Sequence, residues 1–93
     1  MAISVIVPNA LTPYTRGVGT LVVNEPCSTV ADALAIVAAK LPALTDRVLT
    51  EQGEIRRHVN VFVGEESVKF LDGLETPIED GATITIVPAV SGG

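Results

Sequence analysis

Two hydrophobic patterns alternate along the chain, one with the period of a strand and one with the period of a helix. Residues 2–7 form a β-branched apolar run that ends at Pro8. Residues 20–24 form a second such run, after a segment over residues 8–18 that contains two prolines and the turn-favouring residues Asn9 and Gly17. We therefore expect two strands that pair as a hairpin across a long loop.

The period changes over residues 29–41, where apolar side chains recur every three or four positions and define one face of a helix. Thr29 followed by Asp32 is typical of a capping box, with Asp in place of the usual Glu. Pro42 ends this helix and is a favourable first residue for a second, shorter one.

The second half of the chain returns to strand-like alternation. Ile84 and Ile86 are expected to point inward from the last strand, which ends at Pro88. We predict the following order: a strand over 57–63, a turn over 64–66, a short strand over 67–71, a connection with one helical turn over 72–81, and a strand over 83–87. The element order β-β-α-β-β-β predicts an α+β fold in which the main helix covers one face of the sheet.

Composition limits the size and the chemistry of the core. The chain has 93 residues, of which 47% are hydrophobic, so it is long and apolar enough for one folded domain but not for two. Only three residues are aromatic, so the core must be built from Val, Ile, Leu and Ala. A large aromatic-lined ligand pocket is not expected in so small a body.

Charge and cysteine content exclude several classes of function. Eleven acidic residues against six basic ones give a net charge of -5, which argues against nucleic-acid binding and suits a partner with a basic docking surface. One cysteine and one histidine cannot form a Cys/His metal site. The apolar run at the N-terminus is too short for a signal peptide or a membrane span, so we expect a cytoplasmic protein with no nucleic-acid or membrane partner.

The C-terminal segment carries the strongest functional signal. The chain ends in Gly92-Gly93, and an end without side chains can pass through a narrow slot and present its carboxylate to a reagent. Five extended residues reach about 17 Å. We therefore divide the chain into a folded domain over residues 1–88 and a flexible tail over residues 89–93.

The tail and the strand before it carry a family resemblance. The stretch from Asp80-Gly81 through Pro88 to Gly93 resembles the C-terminal signature of ubiquitin-like sulfur carriers, the ThiS/MoaD family. The overall length and the block over residues 59–63 most resemble the CysO-type carriers of cysteine biosynthesis. The resemblance implies a β-grasp fold with a mixed sheet. It also implies that an ATP-dependent adenylating enzyme activates the carboxylate of Gly93, which becomes a thiocarboxylate and donates sulfur.

The same resemblance implies the partners and the absence of catalytic groups. The chain is expected to be a co-substrate rather than an enzyme, with no catalytic side chain, no metal and no bound cofactor; ATP is used by the activating enzyme. Val90, Ser91 and Gly92 are the tail residues that lead Gly93 to its reagent. A second partner is the sulfur-accepting enzyme, which depends on pyridoxal phosphate if the pathway is that of cysteine. The free carrier is expected to be a monomer.

Strand alternation in a β-grasp sheet predicts a docking surface. The first, third and last strands of such a sheet lie side by side, which places Ile6, Phe62 and Val87 on the face away from the helix. We call these three residues the outer-face patch. Exposed apolar patches often mark partner surfaces, although isolated surface hydrophobes are also common.

Two further features have a functional and a structural interpretation. Cys27 precedes the main helix, whose dipole could stabilise a thiolate for a persulfide or redox role, or it packs as a small core residue. Arg56 and Arg57, the only basic pair, either contact an acidic partner or a phosphorylated substrate, or form a solvated strand end.

Three functions remain open from the sequence. The first is the sulfur carrier, with cysteine favoured as the product and thiamine, molybdopterin or a sulfur-containing secondary metabolite as alternatives. The second is a ubiquitin-like modifier joined through Gly93 to lysines of target proteins. The third is a small interaction domain whose Gly-Gly end has no chemical role.

Overall fold

The computed structural model of the chain describes residues 2–88. Its regular elements are five strands, two α-helices and three 3-10 helices within that range. The strands and α-helices are β1 (Ile3–Ile6), β2 (Thr20–Val23), α1 (Val30–Lys40), α2 (Pro42–Val48), β3 (Val59–Val63), β4 (Glu66–Ser67) and β5 (Thr83–Pro88). The 3-10 helices are Asn9–Thr15, Val68–Phe70 and Gly73–Glu75.

The strands form one mixed sheet in the order β2-β1-β5-β3-β4. β1 and β2 pair antiparallel, which confirms the predicted hairpin. β5 lies in the centre, parallel to β1 and antiparallel to β3. The first, third and last major strands are therefore neighbours, as expected.

The core lies between one face of this sheet and α1, and its side chains are aliphatic. Full burial of a Val, Leu or Ile side chain stabilises a fold by about 1.5–3 kcal/mol, the same range as for Phe. An aliphatic core can therefore stabilise this domain without an aromatic residue at its centre. The residues that meet in this layer are Ile3, Val5, Val23, Val59, Val61, Ile84 and Ile86 from the sheet and Val30, Ala33, Leu34 and Val37 from α1.

The start of α1 confirms the predicted capping box. The backbone N–H of Asp32 donates to Thr29 Oγ1 at 3.2 Å, and Asp32 Oδ2 accepts from the backbone N–H of Thr29 at 3.3 Å. The same carboxylate oxygen accepts from the backbone N–H of Ser28 at 2.9 Å. The helix ends before Pro42, which is the first residue of α2 as predicted.

The segment over residues 8–18 is more ordered than the predicted loop. It contains the 3-10 helix Asn9–Thr15, in which residues three apart lie on the same side. This spacing lets Leu11 and Tyr14 both pack against the core. Turn-forming residues alone did not reveal this packing.

The predicted strand over residues 67–71 is wrong. β4 ends at Ser67, whose Oγ accepts a hydrogen bond from the backbone N–H of Lys69 at 3.4 Å. The chain then turns into the 3-10 helix Val68–Phe70, closed by the backbone N–H of Leu71 donating to the carbonyl of Val68 at 3.0 Å. Val68 and Phe70 therefore do not share a face: Val68 is buried, and Phe70 points into solvent.

The strand expected from residue 57 begins later, at Val59. Arg57 and His58 lie in the turn that precedes it. Within residues 2–88, neither α-helix has the length and hydropathy needed to cross a membrane.

We expect Thr29→Ala to lower the free energy of unfolding by about 1 kcal/mol, because it removes the oxygen that caps the Asp32 amide. Chemical denaturation monitored by circular dichroism measures this loss. Ser28→Ala is the matched control, because its side chain makes no hydrogen bond in the described structure. Equal stability of the two variants would contradict the capping role of Thr29.

Candidate functional site

The outer face of the sheet brings two residues of the outer-face patch to either side of the central strand. Ile6 on β1 is opposite Thr85 on β5, and Phe62 on β3 is opposite the same threonine from the other side. At about 4.8 Å between neighbouring strands, Ile6 and Phe62 lie roughly 10 Å apart. Both are partly exposed.

Val87 lies two residues beyond Thr85 on β5 and on the same face, opposite Asn60 of β3. It is 38% exposed, whereas its inward neighbour Ile86 is buried. The structure thus places all three patch residues on the face away from α1. Thr85 and Asn60 lie between them, so the face mixes apolar and polar groups.

The sequence interpretation missed Phe70. Its side chain is 83% exposed, more than any other large hydrophobic residue in the described part of the chain. With Phe62 it forms the walls of an open groove of about 430 Å³. The signal that could have revealed it is Ser67, because serine is a favoured N-cap of helical turns.

The predicted tail residues Val90, Ser91, Gly92 and Gly93 lie outside the described residues. The position from which they start is well defined, because β5 stays paired with β3 up to Pro88, which is opposite Val59. The tail therefore begins at the end of the central strand, on the side of the sheet where β3 starts.

The two arginines of the basic pair have different surroundings. Arg56 is tied to α2: its Nε donates to the carbonyl of Asp46 at 2.9 Å, and its backbone N–H donates to the carbonyl of Val48 at 2.8 Å. This geometry gives Arg56 a structural role. Arg57 is exposed and precedes β3, near the end of the sheet from which the tail starts. A secondary partner contact stays a prediction for both Arg56 and Arg57.

Cys27 is in surroundings that disfavour a reactive thiolate. Its side chain is 6% exposed, and its Sγ donates to the carbonyl of Glu25 at 3.3 Å. Burial raises the pKa of this thiol, and the carboxylates of Asp32 and Glu25 raise it further. The helix terminus that could have stabilised a thiolate is already capped by Asp32. Cys27 is thus protonated at neutral pH and packs in the core.

The sequence is similar to a known protein family and to individual members of it. The model of the ThiS family matches residues 5–93. The chain belongs to the ThiS family. Over 99 residues it is 35% identical to the sulfur carrier protein CysO of Mycobacterium tuberculosis, and the alignment covers 100% of each protein. It is also 38% identical over 66 residues to small archaeal modifier protein 3 of Haloferax volcanii, covering 71% of each.

Solved structures agree with this family assignment. The fold matches a chain of the Amycolatopsis orientalis BexX/CysO complex with a TM-score of 0.85 and 34% identity, covering 98% of this chain and 99% of that one. The expected β-grasp fold is confirmed. Sulfur carriers of the ThiS and CysO type are small protein co-substrates rather than enzymes, and this ThiS-family protein is of the same kind.

Within residues 2–88, the acidic, histidine and cysteine side chains form no group that could hold a metal ion. The features of the site are therefore a folded body with an outer-face patch and a C-terminal strand that leads into the Gly-Gly tail.

We expect the thiol of Cys27 to react with iodoacetamide at pH 8 far more slowly in the folded protein than in the protein unfolded by guanidinium. The reason is that burial blocks access and the raised pKa lowers the thiolate fraction. Mass spectrometry of timed samples gives both rates. Comparable rates in the two states would show that Cys27 is accessible and reopen its redox interpretation.

Proposed function

We propose that this protein is a CysO-like sulfur carrier whose Gly93 carboxylate is adenylated by an ATP-dependent activating enzyme and then converted to a thiocarboxylate. The observation that carries the proposal is the similarity to CysO along the whole chain, in a sequence that has Gly-Gly within five residues after the central strand of a β-grasp sheet ends at Pro88. The acyl group and the sulfur reside on the tail, so the folded body needs no catalytic side chain.

The chemistry requires two displacements. A carboxylate oxygen of Gly93 attacks the α-phosphorus of ATP, and pyrophosphate leaves. Sulfide then attacks the carbonyl carbon of the acyl-adenylate, AMP leaves, and the carrier retains a thiocarboxylate. The nucleotide is bound by the activating enzyme, so the carrier itself binds no cofactor. The need for ATP agrees with a cytoplasmic location.

The folded body of the carrier positions the C-terminal carboxylate for the reaction. Pairing of β5 with β3 up to Pro88 fixes the point from which five residues extend. Those residues span about 17 Å when extended, which is enough to reach an active site below the surface of a partner. The body must then dock reproducibly, and the outer-face patch of Ile6, Phe62 and Val87 supplies an apolar surface for this.

The same similarity supports a proposal for the sulfur acceptor. CysO of Mycobacterium tuberculosis covers the whole chain, which favours cysteine biosynthesis and a pyridoxal-phosphate-dependent acceptor enzyme. The complex of CysO with BexX shows that a carrier of this type binds a partner protein. Thiamine, molybdopterin and secondary-metabolite pathways are the alternative destinations.

A second candidate function is a ubiquitin-like modifier joined through Gly93 to lysines. The similarity to small archaeal modifier protein 3 favours it. Both functions require activation of Gly93, and they differ in whether sulfide or a lysine amine attacks the adenylate. The chain has only two lysines, Lys40 and Lys69, so linkage between copies has few acceptor sites.

Deleting Gly93 should abolish ATP–pyrophosphate exchange by the activating enzyme, and Gly92→Val should nearly abolish it. The deletion shifts the reacting carboxylate by about 3.4 Å, and a misplacement of about 1 Å can cost on the order of 100-fold. A β-branched residue adds bulk where the slot encloses bare backbone.

The thermal midpoint of both variants should equal that of the parent, which serves as the control for folding. Normal exchange with the Gly93 deletion would rule out activation at this terminus and favour a simple interaction domain.

Phe62→Asp and Val87→Asp should each weaken binding to the activating enzyme while the domain stays folded. Both side chains lie on the outer face, and an aspartate buried there without a partner costs several kcal/mol. Binding is measured by isothermal titration calorimetry. Val18→Asp is the control, because Val18 is exposed but lies in the loop before β2. Equal affinity of all three variants would exclude the outer-face patch as the docking surface.

A further inference from the structure

Phe70 is exposed although the backbone around it is firmly held. Val68, two residues before Phe70, is 2% exposed and packs in the core. After Phe70, two backbone hydrogen bonds hold the connection against the start of α1. The carbonyl of Thr76 accepts from the backbone N–H of Val30 at 3.1 Å, and the backbone N–H of Ile78 donates to the carbonyl of Ser28 at 3.0 Å. The exposure of Phe70 is therefore a feature of a packed connection, not of a loose end.

The groove beside Phe70 joins the outer-face patch at Phe62. Its lining residues are Asn60, Phe62, Glu65, Glu66, Ser67, Lys69 and Phe70. Phe62 belongs to both surfaces, so the groove joins the outer-face patch to the β4 edge of the sheet, with Thr85 between Ile6 and Phe62. This extends the outer-face patch beyond the three residues that alternation predicted.

The charge of the whole protein is concentrated on the connection that carries Phe70. Residues 64–81, which we call the acidic segment, contain six carboxylates and one lysine, whereas the rest of the chain holds five acidic and five basic residues. The acidic segment thus accounts for the entire net charge of -5. All six carboxylates are on exposed residues, and none forms an ion pair in the described structure.

We propose that the groove between Phe62 and Phe70 is a docking site for a basic-rimmed apolar surface of the activating enzyme. An apolar side chain of the enzyme fills the groove, and lysine or arginine side chains around it face Glu65 and Glu66. A basic occupant suits the groove because Glu65 and Glu66 outnumber Lys69 in its lining, and neither carboxylate forms an ion pair within residues 2–88. This inference rests on the proposed function, since it assigns the partner by the activation of Gly93.

The two parts of the site have separable effects on binding. A desolvated aromatic side chain acts mainly on the dissociation rate and is the kind of residue that dominates interface energetics. Rim carboxylates act mainly on the association rate and on its dependence on salt. Exposed charges are screened beyond about 10 Å at 0.1 M salt, so the electrostatic part must weaken as salt is added.

The first experiment is surface plasmon resonance with the activating enzyme immobilised and the full-length carrier in solution. Phe70→Ala should weaken binding about tenfold, mainly through faster dissociation. Its thermal midpoint should be unchanged because the side chain is exposed. Val22→Ala is the matched control: Val22 is also an exposed apolar residue, but it lies on β2, at the opposite edge of the sheet.

The second experiment repeats the measurement over a series of NaCl concentrations. The double variant Glu65→Gln and Glu66→Gln should associate more slowly at low salt and show a flatter salt dependence than the parent. Glu51→Gln with Glu54→Gln is the charge-matched control, since these residues lie outside the acidic segment, in the loop before β3.

Equal affinities for Phe70→Ala and Val22→Ala, or equal salt slopes for the two glutamine variants, would overturn the proposal. The Gly93 deletion distinguishes this failure from a failure of the proposed function. A Gly93 deletion variant that binds the enzyme but supports no pyrophosphate exchange upholds the proposed function. The affinities of the Phe70 and Glu65/Glu66 variants then decide the docking proposal alone. A parent carrier that neither binds nor supports exchange overturns both.

Discussion

The central position of β5 is the constraint on which the rest of the structure depends. This strand is hydrogen-bonded on both sides, parallel to β1 and antiparallel to β3, although these two strands lie far apart in sequence. Its inward residues Ile84 and Ile86 are almost completely buried beneath α1. Because β5 is also the last strand within residues 2–88, the strand that completes the core is the one that precedes the tail.

That constraint separates stability from function in space. Alternating residues of β5 face the core or the outer surface, so one strand serves both the packing with α1 and the outer-face patch through Val87. A substitution on the outer face can therefore change binding with little effect on folding. The acidic segment repeats this arrangement: Val68 secures it to the core while Phe70 is presented to a partner.

Periodicity predicted those parts of the structure that a local pattern specifies. The hairpin of β1 and β2, the capping box at Thr29 and the burial of Ile84 all follow from spacing along the chain. Periodicity did not predict the path after β4, because the spacing of Val68 and Phe70 fits a strand equally well. Long-range packing decides the outcome: Val68 is buried in the core and Phe70 is left exposed. The 3-10 helix Asn9–Thr15 was missed for the same reason, since its packing against the core is a long-range contact. The outer-face patch could be predicted as soon as the resemblance supplied the strand order.

The central claim is that the reactive group of this protein is the carboxylate of Gly93. Intact mass spectrometry of the carrier purified from its native host, followed by fragmentation of the C-terminal peptide, tests it most directly. The account predicts a population in which one oxygen of the terminal carboxylate is replaced by sulfur, with Cys27 unmodified. Sulfur found on Cys27, with an unmodified Gly93 carboxylate under conditions of active sulfur metabolism, would contradict it.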